Sequence, residues 1–173
     1  MCEHHTLKMK HLLKITCLFW ITFCSSQTNL ELTPQGFASL EFKTPDRPVD
    51  ELFRGSKSWA PYYNKKGYDI FDVTENSLKI EARIANAFYS YNVGVKYNYD
   101  IVYTMKVVFG TDKKYSLSIS VKEIYAENVL LKTTVADFFT EDGRLKDDFR
   151  DSKPALEKTI NKVVKSFTGY ITQ

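Results

Sequence analysis

The sequence predicts an α+β fold, in which an antiparallel β-sheet carries two helices packed on one of its faces. Several segments between residues 68 and 126 alternate apolar and polar side chains, which is typical of strands with one buried face. Residues 49–63 and 154–171 instead repeat apolar side chains every three or four positions, as amphipathic helices do. Short turn-forming stretches separate the strands, so neighbouring strands are expected to run antiparallel. The expected order along the chain is strand, helix, four strands and a second helix.

The first strand is predicted over residues 37–44, and Pro45 and Pro48 end its alternation. A helix is predicted to follow, because proline is favoured in the first turn of a helix. Pro61 is expected to kink or end that helix. Trp59 lies on its apolar face and is interpreted as a core anchor. That face carries Val49, Leu52, Phe53, Ser56, Trp59, Ala60 and Tyr63.

Four strands are predicted after the first helix, and turns at residues 75–77 and 110–113 join them in pairs. Residues 85–98 are expected to form a looser, tyrosine-rich connection between the pairs. In the last strand Lys122 and Glu123 break the alternation, which predicts a β-bulge that bends the sheet. The four strands are predicted over residues 68–73, 78–84, 99–109 and 115–126.

The C-terminal part is predicted to end in the second helix. Residues 129–135 are expected to add a short edge strand, and residues 137–151 an acidic connection. Ser152 and Pro154 suit the start of the helix. Its apolar stripe must be buried on the sheet, since a short helix gains little stability from propensity alone. The stripe consists of Leu156, Ile160, Val163, Val164, Phe167, Tyr170 and Ile171.

Residues 1–26 are predicted to be a signal peptide. Lysines in residues 8–14 give a basic start, and residues 15–24 form an apolar core followed by Ser25 and Ser26. This core is too short for a transmembrane helix, which needs about 20 residues. A buried N-terminal helix or an uncleaved anchor fits less well, because the apolar run has no polar face. Either Met1 or Met9 fits as the start of such a peptide.

Two processing routes are compatible with this segment. Cleavage before Gln27 would place Cys24 and Ser26 at the positions where signal peptidase accepts small side chains, and would release a periplasmic or secreted protein. Alternatively, residues 21–24 resemble a lipobox, in which Cys24 would be lipidated and anchor the protein to the envelope. Phe23 departs from that pattern, because the residue before the cysteine is normally small.

Export would leave a chain of residues 27–173, which is expected to form a single domain. Removal of residues 1–26 would also change which reactive side chains the protein contains. All three cysteines and all three histidines of the sequence lie before residue 27. Disulfides, thiol nucleophiles, Ser-His-Asp triads and Cys/His zinc sites are therefore excluded from this part. The removed segment also takes three lysines and one glutamate from the 24 basic and 21 acidic residues, which leaves a net charge of +1. We expect no nucleic-acid partner, no cofactor, no metal site and no transmembrane helix in residues 27–173.

Several local patterns together resemble an exported bacterial family of domains of unknown function that has a TATA-box-binding-protein-like (TBP-like) fold. The resemblance covers nearly all of residues 27–173. It implies a curved antiparallel sheet carrying two helices, and it brings no assigned activity and no site residues. The residues that carry it are Leu32-Thr33-Pro34-Gln35-Gly36-Phe37, the helix from Glu51-Leu52-Phe53 to Ser58-Trp59, the stretch Asp112-Lys113-Lys114-Tyr115-Ser116-Leu117-Ser118-Ile119 and the closing amphipathic helix.

The richest aromatic patch lies in and around the tyrosine-rich connection. Exposed tyrosines beside asparagines can stack on sugar rings or on a partner peptide. The alternative is that these tyrosines simply pack on a half-buried sheet surface, which favours aromatic residues. The candidate ligand-binding residues are Tyr89, Tyr91, Tyr97 and Tyr99, within a patch that also includes Phe88 and Tyr103.

Acidic residues form the second candidate cluster. Their oxygens could hold calcium or form a hydrolytic acid/base pair, but Glu141-Asp142-Gly143 lacks the alternating acidic positions of an EF-hand loop. A solvated loop before a helix, with Asp151 near the helix N-terminus, is the preferred interpretation. The cluster comprises Asp137, Glu141, Asp142, Asp147, Asp148 and Asp151.

These observations favour an exported envelope protein that binds a partner protein, peptide or glycan through its sheet surface or its tyrosine-rich segment, without catalysis. No catalytic residue is assigned. Two alternatives stay open: a hydrolase built on paired carboxylates, and a purely structural or accessory envelope protein. The ligand, the partner and the oligomeric state do not follow from the sequence.

Overall fold

The computed structural model describes residues 29–173. The predicted signal peptide of residues 1–26, the cleavage before Gln27 and the lipidation of Cys24 lie outside the described residues. Within them, the structure has two α-helices, two short 3₁₀ turns and eight strands. The elements are β1 (Leu32–Thr33), β2 (Gly36–Phe37), β3 (Leu40–Lys43), α1 (Val49–Tyr63), β4 (Tyr68–Phe71), β5 (Ser77–Asn92), β6 (Val95–Phe109), β7 (Lys114–Ala126), β8 (Val129–Leu130), the 3₁₀ turns Val135–Phe138 and Asp147–Phe149, and α2 (Ser152–Ile171).

The main sheet is antiparallel, with the strand order β3-β7-β6-β5-β4, and β8 pairs with the far end of β7. The small strands β1 and β2 pair with each other and form a separate two-stranded ribbon. The main order along the chain is strand, helix, four strands and helix, as the alternation and the helical spacing predict. The α+β fold class is therefore confirmed.

Two bulges bend the sheet. In β5, Ile84 pairs with Ile101 and Phe88 pairs with Tyr99, so three residues of β5 lie opposite one residue of β6. In β7, Glu123 pairs with Val102 and Val121 pairs with Tyr103, which leaves Lys122 as an extra residue. The bulge predicted at Lys122 and Glu123 is confirmed. Bulges increase the local twist, and these two give the sheet its curvature.

Both helices pack on one face of the sheet and close one hydrophobic core. Trp59 of α1 is fully buried, and its ring stacks on Tyr63 at 5.0 Å and meets Phe167 of α2 edge-on at 5.3 Å. Its Nε1 donates a 3.1 Å hydrogen bond to the Oγ of Ser166. Trp59 thus joins the two helices, and its interpretation as a core anchor is confirmed. We call the opposite face of the sheet, which carries Lys79, Glu81, Lys106, Ser118 and Ser120, the helix-free face.

Several predicted boundaries need correction. Residues 85–98 are not a loose connection, because β5 and β6 continue through them as one long hairpin. Helix α1 does not end at Pro61 but continues to Tyr63. The strand predicted over residues 129–135 is only Val129–Leu130, because the chain then leaves the sheet for the first 3₁₀ turn. In the described part of the chain, no helix has the length and hydropathy needed to cross a membrane.

Candidate functional site: a cleft at the distal hairpin

The part of the β5–β6 hairpin beyond the bulge in β5, residues 88–99, is called the distal hairpin here. Its tip is a two-residue turn, because Asn92 pairs with Val95 and only Val93 and Gly94 lie between them. Both turn residues have positive φ, 48° at Val93 and 77° at Gly94. This geometry matches the right-handed twist of a hairpin, but it is unfavourable for a β-branched residue such as Val93.

Side-chain hydrogen bonds hold the bulge at the base of the distal hairpin. Asn86 has a φ of 51°, and its backbone N–H donates to Oδ1 of Asp100 at 2.9 Å. The other oxygen of Asp100 accepts bonds from Nε and Nη2 of Arg83 at 3.2 and 3.0 Å. On the helix side, Ser152 donates to the Tyr89 carbonyl at 2.9 Å and Thr159 donates to the Ala87 carbonyl. The base of the distal hairpin is thus held by Asp100 of β6 and by two hydroxyl groups of α2.

The four candidate tyrosines divide between the two faces of the hairpin, because side chains alternate along a strand. Tyr97 lies opposite Ser90 and Tyr99 opposite Phe88, so both face the helix side of the sheet. Tyr89 and Tyr91 belong to the other face, where their rings meet edge-on at 5.6 Å. The Nζ of Lys96 lies 4.2 Å from the centre of the Tyr89 ring.

A cleft of about 410 Å³ opens between the distal hairpin and the segment that connects β8 to α2. We call it the hairpin cleft. Its floor is a row of packed aromatic rings: Phe88 stacks on Tyr99 at 4.8 Å and contacts Phe138 edge-on, and Phe138 stacks on Phe149 at 4.2 Å. The hairpin contributes Ser90, Tyr91, Asn92 and Tyr97 to its rim, and the connecting segment contributes Leu131, Thr133 and Asp148.

The polar groups of the hairpin cleft are few and lie near its rim. The hydroxyls of Ser90 and Tyr99 share a hydrogen bond of 3.0 Å. The side chains of Asn92, Thr133 and Asp148 line the same space. Tyr97 is 42% exposed and faces the cleft side of the hairpin, so it can accept a further contact. The cleft combines an apolar floor with hydrogen-bonding groups at its edge, which is the usual composition of a ligand site.

The structure therefore brings three of the four candidate tyrosines together. Tyr91, Tyr97 and Tyr99 border the hairpin cleft, but the ring of Tyr91 belongs to the opposite face of the hairpin, where it packs against Tyr89. Tyr103, which the sequence groups with them, is a core residue. Its hydroxyl donates to Oδ1 of the buried Asn64 at 2.9 Å, and Tyr103 does not line the cleft.

The second wall of the cleft was not predicted from the sequence. Phe138 and Phe149 lie in the acidic connection, and Phe138 is fully buried. Three phenylalanines, at positions 138, 139 and 149, in a mostly polar segment are a signal that part of this segment packs on the core. The backbone of residues 139 and 145 forms an isolated bridge, so this connection is ordered by its own contacts rather than extended into solvent.

The acidic residues do not converge. Asp137 accepts bonds from the backbone N–H and the hydroxyl of Thr134, which lower the pKa of its carboxyl. The Thr140 hydroxyl and Arg144 lower the pKa of Asp142 in the same way. Both carboxylates therefore stabilise local turns. Within residues 29–173, no three Asp, Glu, His or Cys side chains come together as a metal site would require.

The fold of this chain is similar to that of two solved bacterial structures. A TBP-like protein from Parabacteroides distasonis superposes with a TM-score of 0.55 at 12% sequence identity, covering 79% of this chain and 92% of that chain. A DUF4468 family protein from Bacteroides ovatus superposes with a TM-score of 0.58 at 10% identity, covering 84% of this chain and 91% of that chain. No protein-family model and no curated protein matches the sequence. The TBP-like fold is confirmed, and at these identities the likeness concerns the fold alone.

Proposed function

We propose that this chain is an exported binding domain and that its hairpin cleft takes up a glycan. The observation that supports this most directly is the composition of the cleft. The partly exposed ring of Tyr97 lies on the helix side of the hairpin, beside hydroxyl, amide and carboxylate groups from Ser90, Asn92 and Asp148. A sugar ring has an apolar face of C–H groups and an edge of hydroxyls, so it fits an aromatic surface bordered by hydrogen-bonding groups.

The dimensions of the cleft suit a ligand of one or two sugar rings. Its volume of about 410 Å³ lies in the lower part of the range of small-molecule sites, roughly 300–1,000 Å³. The cleft is also bounded by fixed elements. The bonds from Asn86 to Asp100 and from Ser152 to Tyr89 hold the hairpin, and the stacked rings of Phe138 and Phe149 hold the opposite wall. A ligand would therefore bind without first ordering the site, which favours affinity.

We propose binding without hydrolysis, because hydrolysis requires a specific arrangement of carboxylates. Glycosidases ordinarily need two carboxylates on either side of the scissile bond. Among the described residues that line the hairpin cleft, Asp148 supplies the one carboxylate. A hydrolase built on paired carboxylates and a structural envelope protein without a ligand are the alternatives that the experiment below distinguishes.

Export to the bacterial envelope is part of the same proposal. It rests on the basic start and the apolar core of residues 1–26. Reading the N-terminus of the native protein by mass spectrometry tests it. A chain that begins at Gln27 would support cleavage and release, and a lipid-modified Cys24 would support anchoring. A chain that keeps residues 1–26 would contradict export with processing.

The test of the site is a glycan array with neutral and acidic oligosaccharides, followed by calorimetry with chitohexaose, cellohexaose and maltohexaose. We expect saturable binding to one class, and Tyr97→Ala should weaken it at least about 10-fold, as loss of an aromatic anchor does. The matched control is Tyr68→Ala, because Tyr68 is 46% exposed on β4 and lies outside the cleft.

Three results would overturn the proposal. Equal binding by Tyr97→Ala and the unchanged protein would place the site elsewhere. Release of reducing ends that Asp148→Asn abolishes without unfolding the protein would establish a hydrolase. No saturable ligand on the array would favour the structural alternative.

A further inference from the structure

The turn of the distal hairpin exposes two valines to solvent. Val93 is 97% exposed and Val95 is 53% exposed. Val93 also has a φ of 48°, a left-handed conformation that is unfavourable for a β-branched side chain. Asn-Gly would form the same kind of turn without this strain. Val93 therefore costs stability and gains little from contacts, and such a strained residue points to a role in function.

The end of the distal hairpin projects beyond the neighbouring strands. Strand β7 ends where its last residue, Ala126, pairs with Tyr99. In the described part of the chain, residues 89–92 and 95–98 pair only with each other, so the hairpin continues as a two-stranded ribbon. A strand of four residues is about 13 Å long. We call residues 91–97, at the end of this ribbon, the hairpin apex.

Tyrosine rings lie behind the valines on both faces of the hairpin apex. Tyr91 pairs with Lys96 and belongs to the helix-free face, whereas Tyr97 pairs with Ser90 and belongs to the helix side. Tyr91 is 53% exposed and Tyr97 is 42% exposed. Each tyrosine is two residues from a valine along the chain, or about 7 Å in an extended strand. Apolar side chains therefore lie at the end of the hairpin, and rings with hydroxyl groups lie at the next level.

Charge is nearly absent from this part of the chain. The only charged residue of the sequence between Arg83 and Asp100 is Lys96, although 26% of all residues are charged. The Nζ of Lys96 lies 4.2 Å from the centre of the Tyr89 ring. Tyr89 pairs with Asn98, so it is farther from the turn than Lys96 is. The ammonium group therefore points away from the turn, as in lysines whose stem follows an apolar surface toward water.

We propose that the hairpin apex inserts into the surface of a phospholipid bilayer. The two valines would enter the edge of the acyl region, and the rings of Tyr91 and Tyr97 would lie among the headgroups. The ammonium group of Lys96 would contact lipid phosphates. Tyrosine is enriched at this level of membranes because its ring is apolar and its hydroxyl is hydrated.

A bilayer fits the shape of the hairpin apex better than a second protein does. A stable interface between two proteins buries about 800 Å² on each partner. Two valines and two partly exposed tyrosines at the end of a narrow ribbon offer less area than this. A bilayer needs no matching surface, because a projecting apex that enters it is covered on all sides. This goes beyond the proposed glycan site, since neither valine lines the hairpin cleft.

The experiment adds vesicles of phosphatidylethanolamine and phosphatidylglycerol to the purified protein carrying Val95→Trp, which places a fluorophore at the apex. The matched control is Val73→Trp. Val73 is 46% exposed and follows β4, at the end of the sheet away from the hairpin apex. Signals are taken relative to the unchanged protein, which has two tryptophans of its own. We expect the emission of the Val95→Trp variant to move to shorter wavelength and to be quenched by lipids with brominated acyl chains, and the control to show neither change.

Variants that make the apex polar complete the test. In vesicle sedimentation, Val93→Asn and Val95→Asn should each weaken partition at least about 5-fold, because burial of a valine side chain is lost. Asparagine suits the turn, so Val93→Asn tests insertion without loss of folding. Val73→Asn should partition normally. Vesicle binding is measured without glycan, so a failure of the hairpin cleft to bind sugars leaves this result intact.

Three results would overturn the proposal. Equal or absent quenching of the two tryptophan variants would mean that the apex does not insert. Normal partition of both apex asparagine variants would assign vesicle binding to another part of the chain. Self-association without lipid that Val93→Asn abolishes would show that a second copy of the chain covers the apex instead.

Discussion

The backbone N–H of Asn86 donates a 2.9 Å hydrogen bond to Oδ1 of Asp100, across the bulge that separates the two halves of the β5–β6 hairpin. This bond satisfies an amide that the bulge has removed from the strand ladder. The same carboxylate also holds Arg83. One side chain of β6 therefore fixes the position from which the distal hairpin, and one wall of the hairpin cleft, extends.

Asp100→Asn should lower the free energy of unfolding by about 1–2 kcal/mol. Hydrogen bonds to a charged group are worth about 1.5–3 kcal/mol, and the partial exposure of the pair reduces that value. Urea unfolding measures the loss, and hydrogen exchange should show faster opening of residues 85–99. The control is Asp72→Asn, which breaks an exposed pair with Lys79 and should cost less than about 1 kcal/mol. Equal losses in the two variants would contradict this role of Asp100.

Tyr103→Phe should destabilise the protein by about 1–3 kcal/mol, because it leaves Oδ1 of the buried Asn64 without its donor. Chemical unfolding at neutral pH measures this value. Tyr68→Phe provides the control, since Tyr68 is exposed on β4 and should change stability by less than about 0.5 kcal/mol. A neutral Tyr103→Phe variant would show that the bond to Asn64 contributes nothing.

Stability should also fall at alkaline pH. Burial raises the pKa of both Tyr103 and Tyr115 above the ordinary value of 10.0. Because the pKa is raised in the folded state, the contribution of each tyrosine to stability is fully present below its unfolded-state pKa. This contribution is lost as the pH rises from the unfolded-state pKa through the folded-state pKa. The urea midpoint should therefore decrease from pH 9 to pH 12. The double variant Tyr103→Phe and Tyr115→Phe should show a shallower decrease, and an unchanged slope would refute this explanation.

Val93→Asn should stabilise the protein by about 1 kcal/mol. Val93 is β-branched, has a φ of 48° and is 97% exposed, so it is strained and makes little contact. A left-handed conformation costs an ordinary residue about 1–2 kcal/mol, whereas Asn-Gly is a preferred sequence for this turn. Thermal and urea unfolding measure the gain. Val95→Asn is the matched control in the adjoining strand, and a similar gain there would exclude relief of turn strain as the cause.

Asp137→Asn should make the free energy of unfolding depend less on pH in the acid range. Hydrogen bonds from the backbone N–H and the hydroxyl of Thr134 lower the pKa of Asp137 in the folded state. A lowered pKa gives stability that is present above the unfolded-state pKa and is lost as the pH falls through the folded-state pKa. Urea midpoints between pH 2 and pH 6 should therefore vary less in the variant. Asp46→Asn removes the same charge from a fully exposed side chain and should leave the profile unchanged.

The sequence predicts the layers of this fold well because each layer has a local signal. The period of two in residues 99–109 and the spacing of Leu156, Ile160, Val163 and Phe167 each mark one buried face. The break at Lys122 and Glu123 also predicts its bulge, since one extra residue reverses the alternation within the same strand. These features depend on neighbours along the chain.

The distal hairpin was missed because its decisive interactions are not local. Three residues around Asn86 interrupt the alternation of β5, and only the carboxylate of Asp100 from β6 and the hydroxyls of Ser152 and Thr159 from α2 make that interruption stable. The pattern of side chains within residues 85–98 contains no information about these distant partners. The same segment therefore resembles a loop in sequence and continues as a strand in the structure.

The sequence by itself determined the α+β class, the two amphipathic helices, the buried Trp59 and the tyrosine-rich character of the candidate site. Only the tertiary structure decided which tyrosines act together. Tyr97 and Tyr99 face the helix side, Tyr89 faces the opposite side and Tyr103 is buried against Asn64, although all four lie within 15 residues of one another. The physical reason is that strand pairing sets the face of each side chain, and pairing joins residues that are distant in the sequence.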